Sequence, residues 1–418
     1  MENNANDIHL SVVAVSRNDN HGGSLTYRMQ HFVSGFIEQC KRHDLKAELI
    51  LVEWNPPEDN PPLVETLKFP HDLGPCCVRI ICVPNELHMK LKHSNKQPLY
   101  QMIGKNVGIQ RARGKYVLAT NIDIIFSDEI IKFMKNRLRP GKLYRVDRLD
   151  VPADLPENVS FENLLNFCKK NYFRINGKYG TYEVSAFIRK LGLKFLCKSL
   201  SLVMLQRGIK NAKLFITNRF LPRLVKIPVV LSSIFLNVIF SPIMKINRYD
   251  YKYALSKLNN VFKSIPVSIS MLKKVVRKSW TIFAGSLGSK NCLHTNACGD
   301  FTLLSLEDWK NLRGYPEWDM YSWHLDSVFL YQARYSGIME VDLPFKYSIY
   351  HIEHGGGYTP EESQTLFSRL DRRGIPYLTN ADLGRMVDEM KNKCEPILYN
   401  GESWSYLEEE LSEVILNK

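Results

Sequence analysis

The fold is decided by one stretch of the sequence, Lys105-Asn-Val-Gly-Ile-Gln-Arg-Ala-Arg-Gly-Lys-Tyr-Val-Leu-Ala-Thr-Asn-Ile-Asp-Ile-Ile-Phe-Ser127. Residues 102–111 have the pattern of a helix with a small-residue face, and residues 116–123 have the composition of a buried strand. That strand carries Asn121 and Asp123 at its carboxyl end, where residues at i and i+2 point to the same side. Such oxygen ligands suit a hard divalent cation that bridges a diphosphate. The stretch therefore predicts a metal-binding sheet edge, unless Asp123 merely caps the following turn.

Apolar runs upstream of this stretch extend the pattern. Residues 8–16, 47–54 and 77–83 read as buried strands, and residues 24–40 have the spacing of an amphipathic helix. Strands that alternate with helices predict a mostly parallel sheet flanked by helices, an α/β fold. Ligands of such sheets bind beyond the carboxyl ends of the strands.

Downstream of the stretch, the pattern is less regular. Residues 140–188 are polar and predict no regular element, whereas Ser127, Ser305 and Thr359 each look like the N-cap of a helix. Residues 406–416 are acidic and amphipathic and predict a C-terminal helix.

The excess positive charge lies in one segment. Of 56 Lys and Arg, nineteen fall between residues 189 and 278 beside a single acid, Asp250, which leaves 37 basic against 42 acidic residues elsewhere. The charges alternate with aliphatic runs, including the uncharged residues 227–244, and not with the aromatic platforms that bind nucleic acid. We therefore expect these residues to form a helical, basic and apolar insertion that binds an anionic membrane surface. The uncharged run either spans the membrane or only lies in it. We expect no nucleic-acid partner. A buried helical subdomain with a solvated basic face is the alternative.

The opening stretch resembles the A-type glycosyltransferases (GT-A fold), family-2-like, in which an N-x-G-x-x-x-A-x-G-x-Y segment precedes an acidic D-x-D motif. Here Asn121 stands where the first Asp usually lies. The resemblance implies that Asp123 binds Mn²⁺ or Mg²⁺ and that the chain has four parts. These are a nucleotide-sugar half (1–188), the basic membrane-associated insertion (189–279), an acceptor half (280–358) and C-terminal helices (359–418).

The resemblance also implies a set of nucleotide-binding residues. They follow the first two strands or belong to the opening stretch: Ser16, Arg17, Asn18, Asp19, Arg28, Glu53, Lys105, Asn106 and Asn121. A carboxylate such as Glu53 can accept a ring N–H of a nucleotide base. A solvated loop is the alternative interpretation of Arg17 and Asn18.

The second half contributes the residues expected on the acceptor side. Residues 296–317 resemble the acceptor segment of galactosyltransferase-like enzymes, and Asp326 stands where the family has its catalytic base. One carboxylate must remove the acceptor hydroxyl proton, and Asp300 is the second candidate acid. Asp326 as the N-cap of a buried helix is the structural alternative. His351 and His354, next to three glycines, are expected as further metal or diphosphate ligands.

The resemblance implies a glycosyltransferase that moves a sugar from a nucleotide diphosphate sugar to a hydroxyl acceptor. The basic, apolar segment suits a glycan or glycolipid acceptor, in surface polysaccharide or lipid-linked glycan synthesis. Nine scattered cysteines without a C-x-x-C pair indicate reduced thiols. We therefore expect the chain to lie at the cytoplasmic face of the membrane as a peripheral or monotopic protein. Two alternatives remain open: a catalytically inactive membrane-binding protein of the same fold, and a nucleotidyltransferase.

Overall fold

Two β-sheets and their covering helices make up the part of the chain that a computed structural model describes, residues 8–20, 22–184, 292–354 and 360–417. The strands in this part are β1 (Leu10–Ser16), β2 (Ala47–Trp54), β3 (Cys76–Val83), β4 (Tyr116–Ala119), β5 (Ile124–Phe126), β6 (Lys142–Arg145), β7 (Arg148–Val151), β8 (Arg174–Gly177), β9 (Gly180–Glu183), β10 (Thr302–Ser305), β11 (Met339–Asp342), β12 (Ile349–Ile352) and β13 (Glu413–Leu416). The helices are α1 (Leu25–His43), α2 (Leu63–Thr66), α3 (Asn85–His88), α4 (Gln101–Gln110), α5 (Asp128–Asn136), α6 (Phe161–Asn171), α7 (Leu306–Asn311), α8 (Leu325–Tyr335), α9 (Pro360–Arg373) and α10 (Asn380–Lys393). The predicted α/β class is confirmed.

The larger sheet has the order β11-β6-β10-β4-β1-β2-β3-β13. Its centre is parallel, because β1 pairs in parallel with both β2 and β4, and β2 pairs in parallel with β3. The strands β10 and β13 run antiparallel to their neighbours. The carboxyl ends of β1, β2 and β4 therefore meet at one edge, where ligands of α/β sheets bind.

The sheet is covered on both faces, as the sequence predicted. Val12 of β1 belongs to one apolar cluster with Phe32 of α1, while Val13 belongs to another with Val107 of α4. The helix α4 lies very close to the sheet, since a Cβ atom on Gly108 would fall 2.5 Å from Val13 Cγ1. The small-residue face of the opening stretch is thus the face that packs on β1.

The smaller sheet has the order β5-β12-β7-β8-β9 and is antiparallel except for the β12–β7 pair. Three of its strands come from residues 140–188, where the sequence predicted no regular element, and that prediction is wrong. Strands of four residues with charged side chains lack the apolar run by which a buried strand is recognised. Their charges are buried by pairing with one another, as in Arg148 with Asp150.

The strand predicted for residues 116–123 ends earlier in the structure. β4 ends at Ala119, and Asn121 and Asp123 lie on the turn that leads from β4 in the larger sheet to β5 in the smaller one. The chain leaves the larger sheet at Thr120, whose hydroxyl donates to the backbone oxygen of Asp300 at 2.7 Å. The two polar side chains therefore do not share the face of one strand, and they have different partners.

The C-terminal prediction is partly wrong. The helices α9 and α10 agree with the expected C-terminal helices, but residues 413–416 form the strand β13, antiparallel to β3, where a helix was predicted. The β-branched pair Val414-Ile415 suits a strand, and Arg79 of β3 contacts the carboxylate of Glu413. The segment forms a strand because it pairs with β3 at the edge of the larger sheet. The local sequence does not show that pairing.

The cap predictions are confirmed at Ser127 and Ser305, whose side chains accept from the backbone N–H of Ile130 and Asp308. The third predicted cap, Thr359, lies outside the described residues. Residues up to Val184 and from Leu293 onward form one compact unit, and the insertion predicted over 189–279 lies outside the described residues.

None of the described helices combines the length and the apolar character needed to cross a membrane. The eight cysteines in the described part are free thiols, as the sequence indicated.

Candidate active site

Asp123 is the centre of a buried polar cluster at the carboxyl edge of the larger sheet. Arg28 of α1 donates through Nη1 to Asp123 Oδ2 at 3.0 Å. His354 Nε2 lies 3.1 Å and His351 Nε2 lies 3.7 Å from the same oxygen. The other oxygen, Oδ1, is buried and has no hydrogen-bond partner within the described part of the chain. The cluster is thus built from α1, the β4–β5 turn, β12 and the residues after β12.

The charge of Asp123 is set by these neighbours. Burial by itself would raise the pKa of its carboxyl, but His351, His354 and Arg28 together hold the pKa well below the usual range. Asp123 is therefore an anion at neutral pH although it is almost fully buried. A buried anion with one unpartnered oxygen is suited to a cation.

The cluster fits a divalent metal. One carboxylate oxygen of Asp123 and one ring nitrogen each of His351 and His354 lie within 4.8 Å of one another. Two imidazoles with one carboxylate suit Mn²⁺ and other transition metals, whereas Mg²⁺ prefers oxygen ligands alone. The residues that the sequence predicted as metal ligands are brought together, and their donor set favours Mn²⁺ over Mg²⁺.

A second layer of charges orients His351. Its Nδ1 lies 3.3 Å from Asp150 Oδ1. Asp150 is in turn held by Arg148 at 2.8 Å, by Arg174 at 3.1 Å and by Asn176 at 3.0 Å. Fixing one ring nitrogen in this way directs the other toward the ligand. The sequence interpretation missed these residues, although charges that recur within the strand-like run of residues 145–150 are a usable signal.

A second cluster contains Lys105, Asn121, Asp300 and Asp326. Lys105 Nζ donates to Asn121 Oδ1 and to the backbone oxygen of Gly299, both at 2.7 Å. The amide nitrogen of Asn121 donates to Asp300. Asn121 therefore belongs with the acids of the second half of the chain, and no described contact joins it to Asp123.

The two acids of this cluster differ in their surroundings. Asp300 is buried and is ion-paired with Arg148 at 2.6 Å. Asp326 is only half-buried and accepts from its neighbour, the Ser327 N–H, at 2.8 Å. It is not the cap of its helix, because α8 has its N-cap at His324 and Asp326 lies in the first turn. Asp326 is the more accessible carboxylate and Asp300 the more tightly held one.

Lys105 belongs to the same cluster as these acids. Its side chain is fully buried, and burial lowers the pKa of its ammonium to about 8, although Asp300 and Asp326 favour the charged form. A Cβ added at Gly299 would lie 3.1 Å from Asp326 Oδ2 and 3.9 Å from Lys105 Nζ, so the missing side chain leaves room beside both groups. Lys105 is thus a buried cation whose charge is favoured by two carboxylates.

A third group lies at the ends of β1 and β2. Arg17 donates to the Asn55 oxygen at 2.7 Å and pairs with Asp19 at 2.9 Å. Asn18 donates to the Pro61 oxygen at 2.8 Å, and Glu53 Oε1 accepts from the Leu63 N–H at 2.9 Å. Burial raises the pKa of Glu53. Together with the buried Ser16, these side chains order the loop that follows β2 on the same sheet edge as Asp123.

Asn106 lies outside all three groups. Its amide bonds the backbone of Tyr315 in both directions, at 2.8 and 2.9 Å, and donates to Glu317 at 2.8 Å. These contacts fix the turn after α7, so the residue has a structural role in the described contacts. No nucleotide contact needs to be assumed to explain it.

No protein-family model matches this chain, and no curated protein matches it either. The function is therefore argued from the arrangement of its own side chains.

Proposed function

We propose that this chain is a metal-dependent glycosyltransferase of the GT-A type that transfers a sugar from a nucleotide diphosphate sugar to a hydroxyl acceptor. The observation that carries the proposal is the buried Asp123–His351–His354 group with Arg28 beside it, at the edge where the carboxyl ends of parallel strands meet. Sites at that edge bind nucleotides in many α/β proteins. The group combines metal ligands with the cation of Arg28, and a diphosphate needs positive charge of both kinds beside it.

The donor would lie between the first and third groups. Asp123, His351 and His354 would hold Mn²⁺, which would supply positive charge against the diphosphate leaving group. Arg28 adds a fixed positive charge to the same place, and His351 and His354 hold ring nitrogens toward it. The nucleoside would extend toward Arg17 and Asn18, where Glu53 is a hydrogen-bond acceptor for the base.

The acceptor hydroxyl would lie against the second cluster. Asp326 takes its proton, the hydroxyl oxygen bonds to the anomeric carbon, and the bond to the diphosphate breaks. Asp300, fixed by Arg148, is a hydrogen-bond acceptor that orients a neighbouring hydroxyl. Because Arg148 pairs with both Asp300 and Asp150, it links this cluster to the second layer behind His351.

The acceptor is proposed to be a glycan or glycolipid at the cytoplasmic face of a membrane. The support is the concentration of nineteen basic residues and one acid between residues 189 and 278, a composition that anionic lipid headgroups attract. This part of the proposal rests on the sequence alone.

The test of the proposal is calorimetric binding of uridine and guanosine diphosphate sugars in the presence of Mn²⁺. We expect one sugar nucleotide to bind, and Asp123→Asn to lose metal-dependent binding, because the anionic ligand is removed. Asp128→Asn is the matched control, since Asp128 is a partly exposed acid nearby that pairs with Arg42. Unchanged binding in Asp123→Asn would show that the site lies elsewhere.

The alternatives give different results in the same assays. A nucleotidyltransferase would release pyrophosphate from a nucleoside triphosphate and a sugar phosphate. An inactive protein of this fold would bind lipid vesicles but turn over no sugar nucleotide with any acceptor or with water.

A further inference from the structure

A second group of metal-ligand side chains lies outside the proposed active site. It consists of Asp147, His294 and Asp342, and one ligand atom from each lies within 4.8 Å of the others. His294 Nδ1 is 3.1 Å from Asp342 Oδ1. None of these residues belongs to the Asp123 group, so the two groups are separate sets of ligands.

His294 is held in a fixed position. The residue is completely buried. Its backbone N–H donates to Glu340 Oε1 at 2.6 Å, and its backbone oxygen accepts from Arg145 Nε at 2.9 Å. Glu340 is itself fixed by Lys178 at 2.7 Å. These contacts fix the backbone of His294, and its ring is held through Nδ1, which pairs with Asp342 Oδ1 at 3.1 Å.

The ring also has unused bonding capacity. His294 Nε2 is buried and has no hydrogen-bond partner within the described residues. Imidazole nitrogen and Asp carboxylate oxygen are both zinc ligands in proteins.

The two carboxylates reach the histidine from different parts of the fold. Asp147 lies between β6 and β7, against Gly177, where an added Cβ would come within 3.1 Å of Asp147 Oδ1. Asp342 ends β11, and its side chain is 29% exposed. The group is therefore buried on two sides and reachable by an ion through Asp342.

We propose that Asp147, His294 and Asp342 form a binding site for a divalent transition-metal ion of the Zn²⁺ class, and that the bound ion stabilises the fold. One imidazole and two carboxylates suit Zn²⁺, with solvent completing its coordination. The bound ion cross-links three segments: the β6–β7 connection, the end of β11 and the chain at Leu293, where the second part of the compact unit begins. Its role is to stabilise that junction, and it does not depend on the proposed transferase activity.

The test uses the full chain, stripped with a chelator and titrated with Zn²⁺. Bound zinc per chain and the melting temperature are measured for the wild type, Asp342→Asn and His294→Gln. We expect each variant to bind one zinc ion fewer than the wild type and to lose part of the rise in melting temperature that zinc causes. Asp342→Asn is the decisive variant, because its partly exposed side chain makes a normal metal-free fold the expected result.

Asp388→Asn, an exposed acid on α10, is the matched control and should keep the wild-type zinc count. The same count and the same thermal shift in Asp342→Asn and His294→Gln as in the wild type would overturn the proposal. So would an equal loss of zinc in Asp388→Asn, which would indicate unspecific binding to surface acids. Both readouts are independent of sugar-nucleotide binding, so failure here and failure of the transferase proposal are distinguishable.

Discussion

At the scale of single residues, buried arginines decide which acids are available for chemistry. Arg28 holds one oxygen of Asp123, and Arg148 holds both Asp150 and Asp300. A buried charge is costly unless it is paired, so these pairs allow several carboxylates to remain ionised inside the fold. Within the described part of the chain Asp326 forms no ion pair with an arginine, and it is half-buried, which is the condition that a proton acceptor needs.

The first residue-scale prediction concerns Asp326. Asp326→Asn keeps the shape of the side chain but removes its basicity, so turnover should fall by about 10²-fold or more, the usual size of a general-base effect. Donor affinity should be nearly unchanged, because the residue acts on the acceptor. Steady-state kinetics and calorimetry measure the two quantities, with Asp319→Asn, a nearby acid that accepts from the Lys92 N–H, as control. Full turnover in Asp326→Asn would move the role to Asp300 or elsewhere.

The second residue-scale prediction uses the titration of Lys105. Its pKa is lowered to about 8 in the folded chain and is about 10.4 in an unfolded one, so between these values the unfolded state binds more protons. This group therefore makes the free energy of unfolding rise with pH over that window. Urea denaturation measures the unfolding free energy of both proteins. The value for the wild type minus the value for Lys105→Met should increase from pH 7 to pH 10. A difference independent of pH would show that Lys105 is not titrating there.

At the scale of elements, the close contact between α4 and β1 decides the position of the opening stretch. The glycines of α4 allow the helix backbone to approach β1, and the chain then turns into β4 and reaches Asp123. Lys105 lies on this same helix, so the packing that places α4 also places the buried cation against Asn121 and Gly299. The site geometry is therefore sensitive to this one helix–sheet contact.

The element-scale prediction compares two helical glycines. Gly108→Ala places a methyl group 2.5 Å from Val13 Cγ1, and such overpacking costs about 1–3 kcal/mol of stability. Gly384→Ala on α10 meets no atom within 4 Å, so it should stabilise the chain by about 0.5–1 kcal/mol through helix propensity. Urea unfolding of both variants measures the opposite signs. A stabilising Gly108→Ala would contradict the close approach.

At the scale of the whole molecule, charge separates two parts of the chain. Outside residues 189–278 acids slightly outnumber bases, and inside them bases outnumber acids nineteen to one. Cations at this density repel one another on a free surface, and anionic headgroups offset that repulsion by about 1 kcal/mol for each Lys or Arg near the membrane.

The whole-molecule prediction follows from that distribution. The purified chain should sediment with vesicles that contain phosphatidylserine and much more weakly with neutral phosphatidylcholine vesicles, and added salt should weaken the binding because it screens the charges. A variant with six of the nineteen Lys and Arg changed to Gln should bind less. Equal sedimentation with both vesicle types would remove the electrostatic part of the proposal, and no sedimentation with either would remove the membrane proposal itself.

The sequence by itself determined the α/β class, the parallel centre of the larger sheet and the caps at Ser127 and Ser305. Each of these depends on local periodicity or on one residue type at one position, and such signals lie within a dozen residues. The sequence also singled out Asp123, His351 and His354 through the family resemblance. The structure brings these three side chains together, and their binding of a metal stays a prediction.

Only the tertiary structure decided the smaller sheet, the strand β13 and the separation of Asn121 from Asp123. Each of these depends on partners far along the chain: Arg79 with Glu413, or Asn121 with Asp300. Short strands with charged side chains are stable here because distant opposite charges are buried beside them, and local composition contains no record of those partners. The same reason explains why the Asp147–His294–Asp342 group could not be found from the sequence, since its three ligands come from three separate segments.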